Sequence, residues 1–466
     1  MRAPVALGLD QQRSRPVNAA RVVNLYAEPA PPGSRAKVVL YGTPGQKAWA
    51  TVGDDTIRAG LEGQGYSYIL SGSTLWRTDS SGVSTPCMGD LIPTTGAATL
   101  INNGTQIGLL VVPDWFVVVG TAITKVVSGG PAAGFSSVAY IGGYAVLAVN
   151  DTSGQFYITA PLDFATIDAL DFATAESSPD GLLSVLVDHR EAWLFGAESI
   201  EPWTLTGASP FPFEPVQGAL LERGCGAALS PAKLDNSLVW LGNDRIVYRA
   251  DGYTPVRIST HAVEDILRVG TVSDAYGMTY SQGGHDFYVL TLPSLNRTLV
   301  YDAATSIWHE RQSGTALTPA IWAPLCIFPA FGKTLVGLQA GRVAELDLDT
   351  FDDLGDPIRS VIVGVPLYAE GKSAICHEME LECELGVGIN TGQGSAPEVM
   401  MRFSKDGTGT WSNERRASLG PMGVRRKRAK WNRNGHFREF VPEFSVSDPV
   451  KRAFYGIRAV VEELAV

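Results

Sequence analysis

The chain has 466 residues and a formal net charge of −11, is 45% hydrophobic but only 18% charged, and carries 50 glycines and 28 prolines. That length and apolar content suffice for more than one packed domain, and a charged fraction below the roughly 25% of ordinary globular chains, with so much Gly and Pro, favours strands and turns over helical bundles. The composition also excludes several classes: the acidic balance argues against a protein that coats nucleic acid, Cys87, Cys225, Cys326, Cys376 and Cys383 form neither a disulfide framework nor a paired zinc spacing, and no stretch approaches the roughly 20 apolar residues of a membrane helix.

The opening MRAPVALGLDQQRSR has an apolar run too short for a secretory signal, so the expectation is a soluble protein assembled in a reducing compartment, without a membrane partner. Asn103-Gly-Thr, Asn150-Asp-Thr and Asn296-Arg-Thr match the glycosylation sequon but read as turns in that setting. Residues 1–35 hold scattered apolar positions and the Pro-rich Glu28 to Gly33, which cannot continue a helix or a central strand. They read as an extended arm, in which Val22-Val-Asn-Leu25-Tyr26 is apolar enough to dock as a strand on a neighbouring sheet edge. Leu25 and Tyr26 are therefore candidate interface residues.

From 36 to 357 one unit recurs: an apolar strand, a tight turn, then a second strand often ending in an aromatic residue and a carboxylate. Ser67 to Arg77, Leu238 to Asp251, Phe287 to Trp308 and Thr334 to Asp347 are copies, and others sit near Leu109, Tyr140 and Trp193. Turns at irregular intervals of roughly 40 to 55 residues match four-stranded propeller blades, and six or seven blades fit the length; two unrelated sandwiches built of hairpins are the alternative. The single convincing helix starts at Thr260, which can cap it, presents Val263, Ile266 and Leu267 on one face, and ends at Gly270.

Beyond the acidic loop Phe351 to Asp356 and Pro357 a different pattern begins. Glu378-Met-Glu-Leu-Glu-Cys-Glu-Leu385 alternates strictly, so Glu378, Glu380, Glu382 and Glu384 share one face of a strand. A row of like charges about 7 Å apart repels unless cations face it. The candidate counterpart lies between Arg415 and Arg438, where nine Lys or Arg residues concentrate: Arg415, Arg416, the run Arg425-Arg426-Lys427-Arg428 with Lys430, then Arg433 and Arg438. On a strand from Val424 to Trp431, Arg426, Arg428 and Lys430 share a face, and the acidic and basic strands are expected to meet, within one subunit or between two. Just upstream, Ser404-Lys-Asp406-Gly407-Thr-Gly409-Thr-Trp411 reads as a hairpin turn in which Asp406 bonds its own backbone.

These C-terminal pieces, in order, resemble the tail hub proteins of short-tailed, podoviral bacteriophages, also called packaged-DNA stabilisation proteins or tail accessory factors. The resemblance rests on Ser-x-Asp-Gly-x-x-Trp-Ser at 404–412, Leu419-Gly420, the basic run into Trp431 with Arg433, and Ser447-Asp-Pro-Val450. Two further islands carry it: Pro16 to Gly45, with Asn24-Leu25-Tyr26 and Thr43-Pro44-Gly45, and Ala175 to Gly226, with Glu176-Ser-Ser-Pro-Asp-Gly181 and Leu205-Thr-Gly-Ala208. Arg425-Arg426 depart from it, an aromatic residue being expected in such a strand. The resemblance implies a virion protein assembled in the bacterial host cytoplasm as a ring of six copies. It would attach below the portal and adaptor proteins, close the channel near the packaged DNA, and carry tailspikes or tail fibres and the tail needle.

Motifs for chemistry are missing. The sequence contains no nucleophile elbow, His-Glu-x-x-His, Walker loop or Cys-x-x-Cys, its six histidines are dispersed, and Asp352-Asp353 lies in a Gly-Pro loop; no catalytic residue, cofactor or metal ligand is assigned. Ser404 to Trp411 approaches the Asp-box turn of sialidase propellers with its Gly displaced by one position, which leaves a glycan-binding or sialidase-like propeller as the alternative reading. The expected fold is all-β: an arm (1–35), a β-propeller of six or seven irregular blades (36–357), and a C-terminal antiparallel β-sandwich-like domain (358–466).

Overall fold

The computed structural model describes residues 2–3, 5–175, 180–369 and 371–464; the Glu176 to Pro179 part of the second family-like island lies outside them. After a two-residue strand at Arg2–Ala3, four strands open the chain: β1 (Arg21–Val23), β2 (Leu25–Pro29), β3 (Val38–Gly42) and β4 (Gly45–Thr51). Six sheets of antiparallel strands follow at 57–86, 98–125, 135–174, 182–215, 232–257 and 276–311, the second with Met88–Gly89 added in parallel at its edge, and the seventh combines three strands at 326–347 with β4 as its outermost main strand. The first strands of successive sheets touch one another in order, and that of the seventh, Cys326–Ala330, returns to that of the first, Ile57–Gly63, so the ring closes with seven blades. Each repeat copy read from the sequence falls in a separate blade.

The blades are packed sheet against sheet. Seven apolar clusters lie one between each neighbouring pair, from Tyr68, Leu70 and Phe116 between the first two to Ile57, Ile69 and Phe328 between the last and the first. A central blade strand is thus buried on both faces, as Ile107–Val111 is along its whole length. This is why such strands read as continuous apolar runs and not as alternating ones. The third blade ends in the long outer strand β5 (Asp163–Thr174) and the sixth in β6 (Ile307–Arg311). Between the fifth and sixth blades, helix α1 (His261–Arg268) is capped by the Thr260 side chain as the sequence predicts and buries Val263 and Leu267.

The C-terminal strands are β7 (Ser360–Val363), β8 (Ala374–Cys383), β9 (Glu398–Ser404), β10 (Arg415–Ser418), β11 (Ala429–Phe437), β12 (Glu439–Val446) and β13 (Ala453–Glu463). They form two sheets, β2-β3-β13-β8-β11 and β1-β7-β12-β9-β10, around one core that includes Leu25, Leu40, Met379, Leu381, Trp431, Phe444 and Ile457. The second sheet does not stop at the domain edge: β1 also pairs in parallel with β6, joining blade six and the sandwich into a continuous run of nine strands, with the short strand Leu367–Tyr368 beside β12 as the tenth member of the sheet.

That joint corrects the arm expected at 1–35. β1 fills the space between propeller and sandwich, and β2 with β3 supplies the edge of a sandwich sheet. The segment docks on its own chain because Val22, Val23, Leu25 and Ala27 bury their side chains there almost completely. The boundary at residue 36 accordingly falls inside a sandwich hairpin, and the propeller strands begin at Gly45.

Candidate assembly surfaces

The acidic and basic strands do meet, and they meet within one chain. β8 is flanked by β11 and β13, with Glu380 opposite Lys430 and Glu378 opposite Asn432. Arg428 grips Glu380 with two hydrogen bonds, its Nε donating at 2.7 Å, and Lys430 reaches Glu378 at 2.9 Å. Arg35 covers Glu382 at 3.1 Å and Lys451 pairs with Glu384 at 3.0 Å. The Arg428 hydrogen bond holds the Glu380 carboxyl below its ordinary range despite partial burial. The four glutamates are thus neutralised in place and do not form a free acidic face for a partner. Glu384, expected on the strand, lies just past its end.

The other basic candidates separate by environment. Arg415 is tied internally, its Nη1 donating to the Asn432 carbonyl at 2.8 Å and Nη2 to the Asn434 side chain, while Trp431 Nε1 donates to the Arg415 carbonyl. Arg416 is exposed and pairs with Glu398 at 3.2 Å. Arg433 is exposed in the left-handed region at φ 59°. Arg425 and Arg426 lie in a turn and Lys427 in the loop after it, where the sequence pattern suggested a strand, because Gly420, Pro421 and Gly423 turn the chain and the strand starts only at Ala429. The departure from the family pattern at Arg425-Arg426 therefore sits in an exposed loop.

Leu25 and Tyr26 are not available to a partner. Leu25 is fully buried in the sandwich core, and Tyr26 packs against Phe287 and His285 of blade six, ring centroids 5.6 and 5.1 Å away. The residue that matters most in this stretch is the one beside them. Asn24, buried and left-handed at φ 55°, donates from Nδ2 to the carbonyls of Gln312 and Arg359, both at 2.9 Å, and accepts from the Gln312 backbone N–H at 3.0 Å. One side chain thereby binds the end of blade six to the start of the sandwich. Its sequence signal was a lone Asn among β-formers, the residue type besides Gly that most readily takes positive φ. Nearby, Gly45 starts β4 where a Cβ would come within 2.5 Å of the Thr350 and Asp352 carbonyl oxygens, so only glycine fits.

Charge is concentrated along the same seam. Glu310, almost fully buried, is held by Arg21 at 2.6 Å and Arg297 at 3.1 Å; burial raises its pKa, but the two guanidiniums outweigh that and leave it lowered. Arg402 bonds Glu443 through both nitrogens at 2.7 and 2.8 Å, and Arg359 reaches Glu414 at 2.9 Å. Buried Arg311 lies over the Trp322 ring at 3.7 Å and donates to the Pro44 carbonyl. Burial pushes Asp353 up to about 6 and Arg452 down to about 10, each partly offset by opposite charges nearby.

The Asp-box-like turn forms as read. Asp406 accepts from the Thr410 backbone and hydroxyl at 2.9 and 2.7 Å and from Ser404 Oγ at 2.7 Å, which holds its carboxyl down to about 2. Gly407, at φ 64°, faces the Pro16 ring, where a Cβ would lie 2.9 Å from Cγ. The turn belongs to the sandwich and leaves β9, so it is no part of a propeller blade. A cleft of about 760 Å³ between blades four and five has three of its carboxylates engaged: Asp188 with His189 and Lys233, Asp235 with Arg249, Glu191 with Tyr253. Among the described residues no group of three or more His, Cys, Asp or Glu is placed to hold a metal ion, and no helix is long and apolar enough to cross a membrane.

Two family models match in succession: "Bacteriophage P22 Gp10, beta-propeller" over residues 1–350 and "Bacteriophage P22 Gp10, beta-sandwich" over residues 360–462. Comparison with curated proteins found no match. Among solved structures, the chain is similar to virginiamycin B lyase from Staphylococcus aureus (10% identity, TM-score 0.42, covering 66% of this chain and 98% of that one). It is also similar to the WD40 beta propeller domain of Doa1 (11% identity, TM-score 0.41, 65% and 96%). Neither likeness bears on activity.

Proposed function

The chain belongs to the bacteriophage P22 Gp10 family, a family of structural phage tail proteins, and from that membership we propose that it is a tail hub. In this reading copies of the chain close into a ring, of six by family resemblance, below the portal and adaptor proteins. The ring shuts the exit channel after DNA packaging and provides the attachment for tailspikes or fibres and the tail needle. A head-to-tail contact repeated by a rotation that closes gives such a ring from a single asymmetric subunit.

The observation that carries the reading is the succession of the two family matches over propeller and sandwich in one chain. The seam supports it physically, since a subunit under the load of packaged DNA benefits from domains that cannot hinge apart. A bond network of Asn24, Arg21, Glu310 and Arg297, with a sheet running through both domains, resists such a hinge. Negative-stain imaging of the purified chain mixed with its portal and adaptor tests the proposal. A ring seated beneath the adaptor is expected; particles that retain their DNA and infect without the chain would overturn it.

A further inference from the structure

The sandwich presents a cationic loop that no carboxylate among the described residues neutralises. Arg425, Arg426 and Lys427 are all exposed in the loop between β10 and β11, and among the described residues none is within ion-pairing distance of a carboxylate. Their neighbours Arg416, Arg428, Lys430 and Lys451 are each paired. Beside these cations Met422 and Val424 are 54% and 42% exposed. Apolar side chains ringed by unpaired cations are the composition of a protein interface that uses burial for affinity and charge for orientation.

The matching surface is on the third blade. β5 pairs with its neighbour at Phe172 opposite Tyr157 and again at Ile167 opposite Thr159, so the four residues 168–171 stand against a single residue and bulge outward. This knuckle shows Leu170, 83% exposed, between Asp168 and Asp171, neither of which has a cationic partner among the described residues, with Phe172 beside it. It lies on the outer edge of its blade. The bulge breaks the row of free backbone groups that would otherwise invite strand addition, so what the edge offers is an apolar side chain between two carboxylates.

The two elements lie at opposite ends of the subunit. The sandwich joins the propeller at blades six and seven, and blade three is three blades away from each of these around a ring of seven. The cationic loop leaves from β10, the strand of the ten-stranded sheet farthest from the blade. With five strands spaced about 4.8 Å apart, that places it on the order of 20 Å beyond the blade edge. Complementary patches at opposite ends of one chain cannot meet within it and produce head-to-tail contacts between copies.

We propose that the loop at 422–427 of one copy docks on the 168–171 knuckle of the next copy, Met422 and Val424 against Leu170 and the three cations around Asp168 and Asp171. This inference rests on the hub reading and specifies its subunit contact. The test uses assembled tails containing a double variant, Leu170→Cys with Arg426→Cys, treated with a short bis-maleimide. The native thiols give little background, because four are buried and burial pushes the half-buried Cys326 up to about 12. A ladder of crosslinked multimers is expected from the double variant and only monomers from each single one. Tails that contain the double variant without crosslinks overturn this contact and leave the hub reading standing, whereas absence of the native chain from tails overturns the hub reading itself. In a second arm, Arg425→Glu/Arg426→Glu/Lys427→Glu and Asp168→Lys/Asp171→Lys chains, each with a native melting temperature, should fail to assemble separately and recover in an equimolar mixture as alternating copies. Normal assembly of either chain alone would also refute the contact.

Discussion

Asn24 is the most exacting place to test the account of the seam. Replacing it with Ala removes three hydrogen bonds, two donated to the Gln312 and Arg359 carbonyls and one accepted from the Gln312 N–H. All three partners lose their bond in a buried setting. A bond between neutral groups contributes about 1 kcal/mol net, and each buried partner left unsatisfied costs about 1 to 3 kcal/mol. An alanine held at φ 55° adds roughly 1 kcal/mol that Asn largely avoids. Allowing for relaxation, the loss is about 4 to 6 kcal/mol, comparable with the whole margin of a domain. Asn24→Gly should lose about 1 kcal/mol less, since it relieves the backbone but not the bonds. Asn24→Asp should be worst, because it keeps one acceptor and turns a carboxylate toward two carbonyl oxygens. Urea unfolding followed by tryptophan fluorescence and circular dichroism gives the ranking, and the sandwich transition should separate from that of the propeller. A loss under about 1 kcal/mol for Ala, or equal losses for all three variants, would refute the role assigned to this side chain.

Three other outcomes are expected. Asp353 has a folded pKa raised to about 6 from 3.8, so its contribution to stability is fully present below about pH 4 and lost as pH rises through 6, up to about 3 kcal/mol; Asp353→Asn should flatten melting temperature between pH 4 and 7. Arg428→Glu should lower the melting temperature of the monomeric chain most at low salt, and adding Glu380→Arg in the same chain should recover it, whereas a ladder between subunits would leave the monomer's melting temperature unchanged by either change. Asp406, held down to about 2, stabilises its turn at all pH values above about 4 and loses that effect as pH falls through 2; Asp406→Ala should speed limited proteolysis at 405–412 at neutral pH.

The repeats and the β character were legible because blade strands carry strong local signals, an apolar run and a turn. Phe287-Tyr-Val-Leu and Leu238-Val-Trp-Leu look like blade strands before any blade is built, although their copies share no strict motif. The acidic strand was legible through its alternation, and its meeting with the basic strand through electrostatics, but which chain supplies the cations depends on tertiary register that spacing does not encode. Arg426 was misplaced because the side-chain pattern from Val424 onward is compatible with a strand, while Gly420, Pro421 and Gly423 keep the backbone in turns. The destination of β1 was hidden for a different reason. Its partners, Glu310 and Ile362, are each more than 280 residues away, and a three-residue apolar strand carries no signal of which edge it will fill.

That hidden step decides how the molecule is organised. Residues 21–51 complete structures begun at the far end of the chain: β1 bridges blade six and the sandwich, β2 and β3 extend a sandwich sheet, and β4 closes blade seven. Neither domain is finished until the C-terminal strands exist to receive these, so the family-like islands Asn24-Leu25-Tyr26 and Thr43-Pro44-Gly45 are explained by internal fit. Asn24 holds a left-handed backbone and Gly45 a spot too close to two carbonyls for a side chain, and Leu25 and Tyr26 fill two cores, one on each side of the seam. Surfaces free to meet other proteins must then be sought where the fold makes no internal demand. The cationic loop and the blade-three knuckle meet that condition, being exposed and without ion pairs among the described residues.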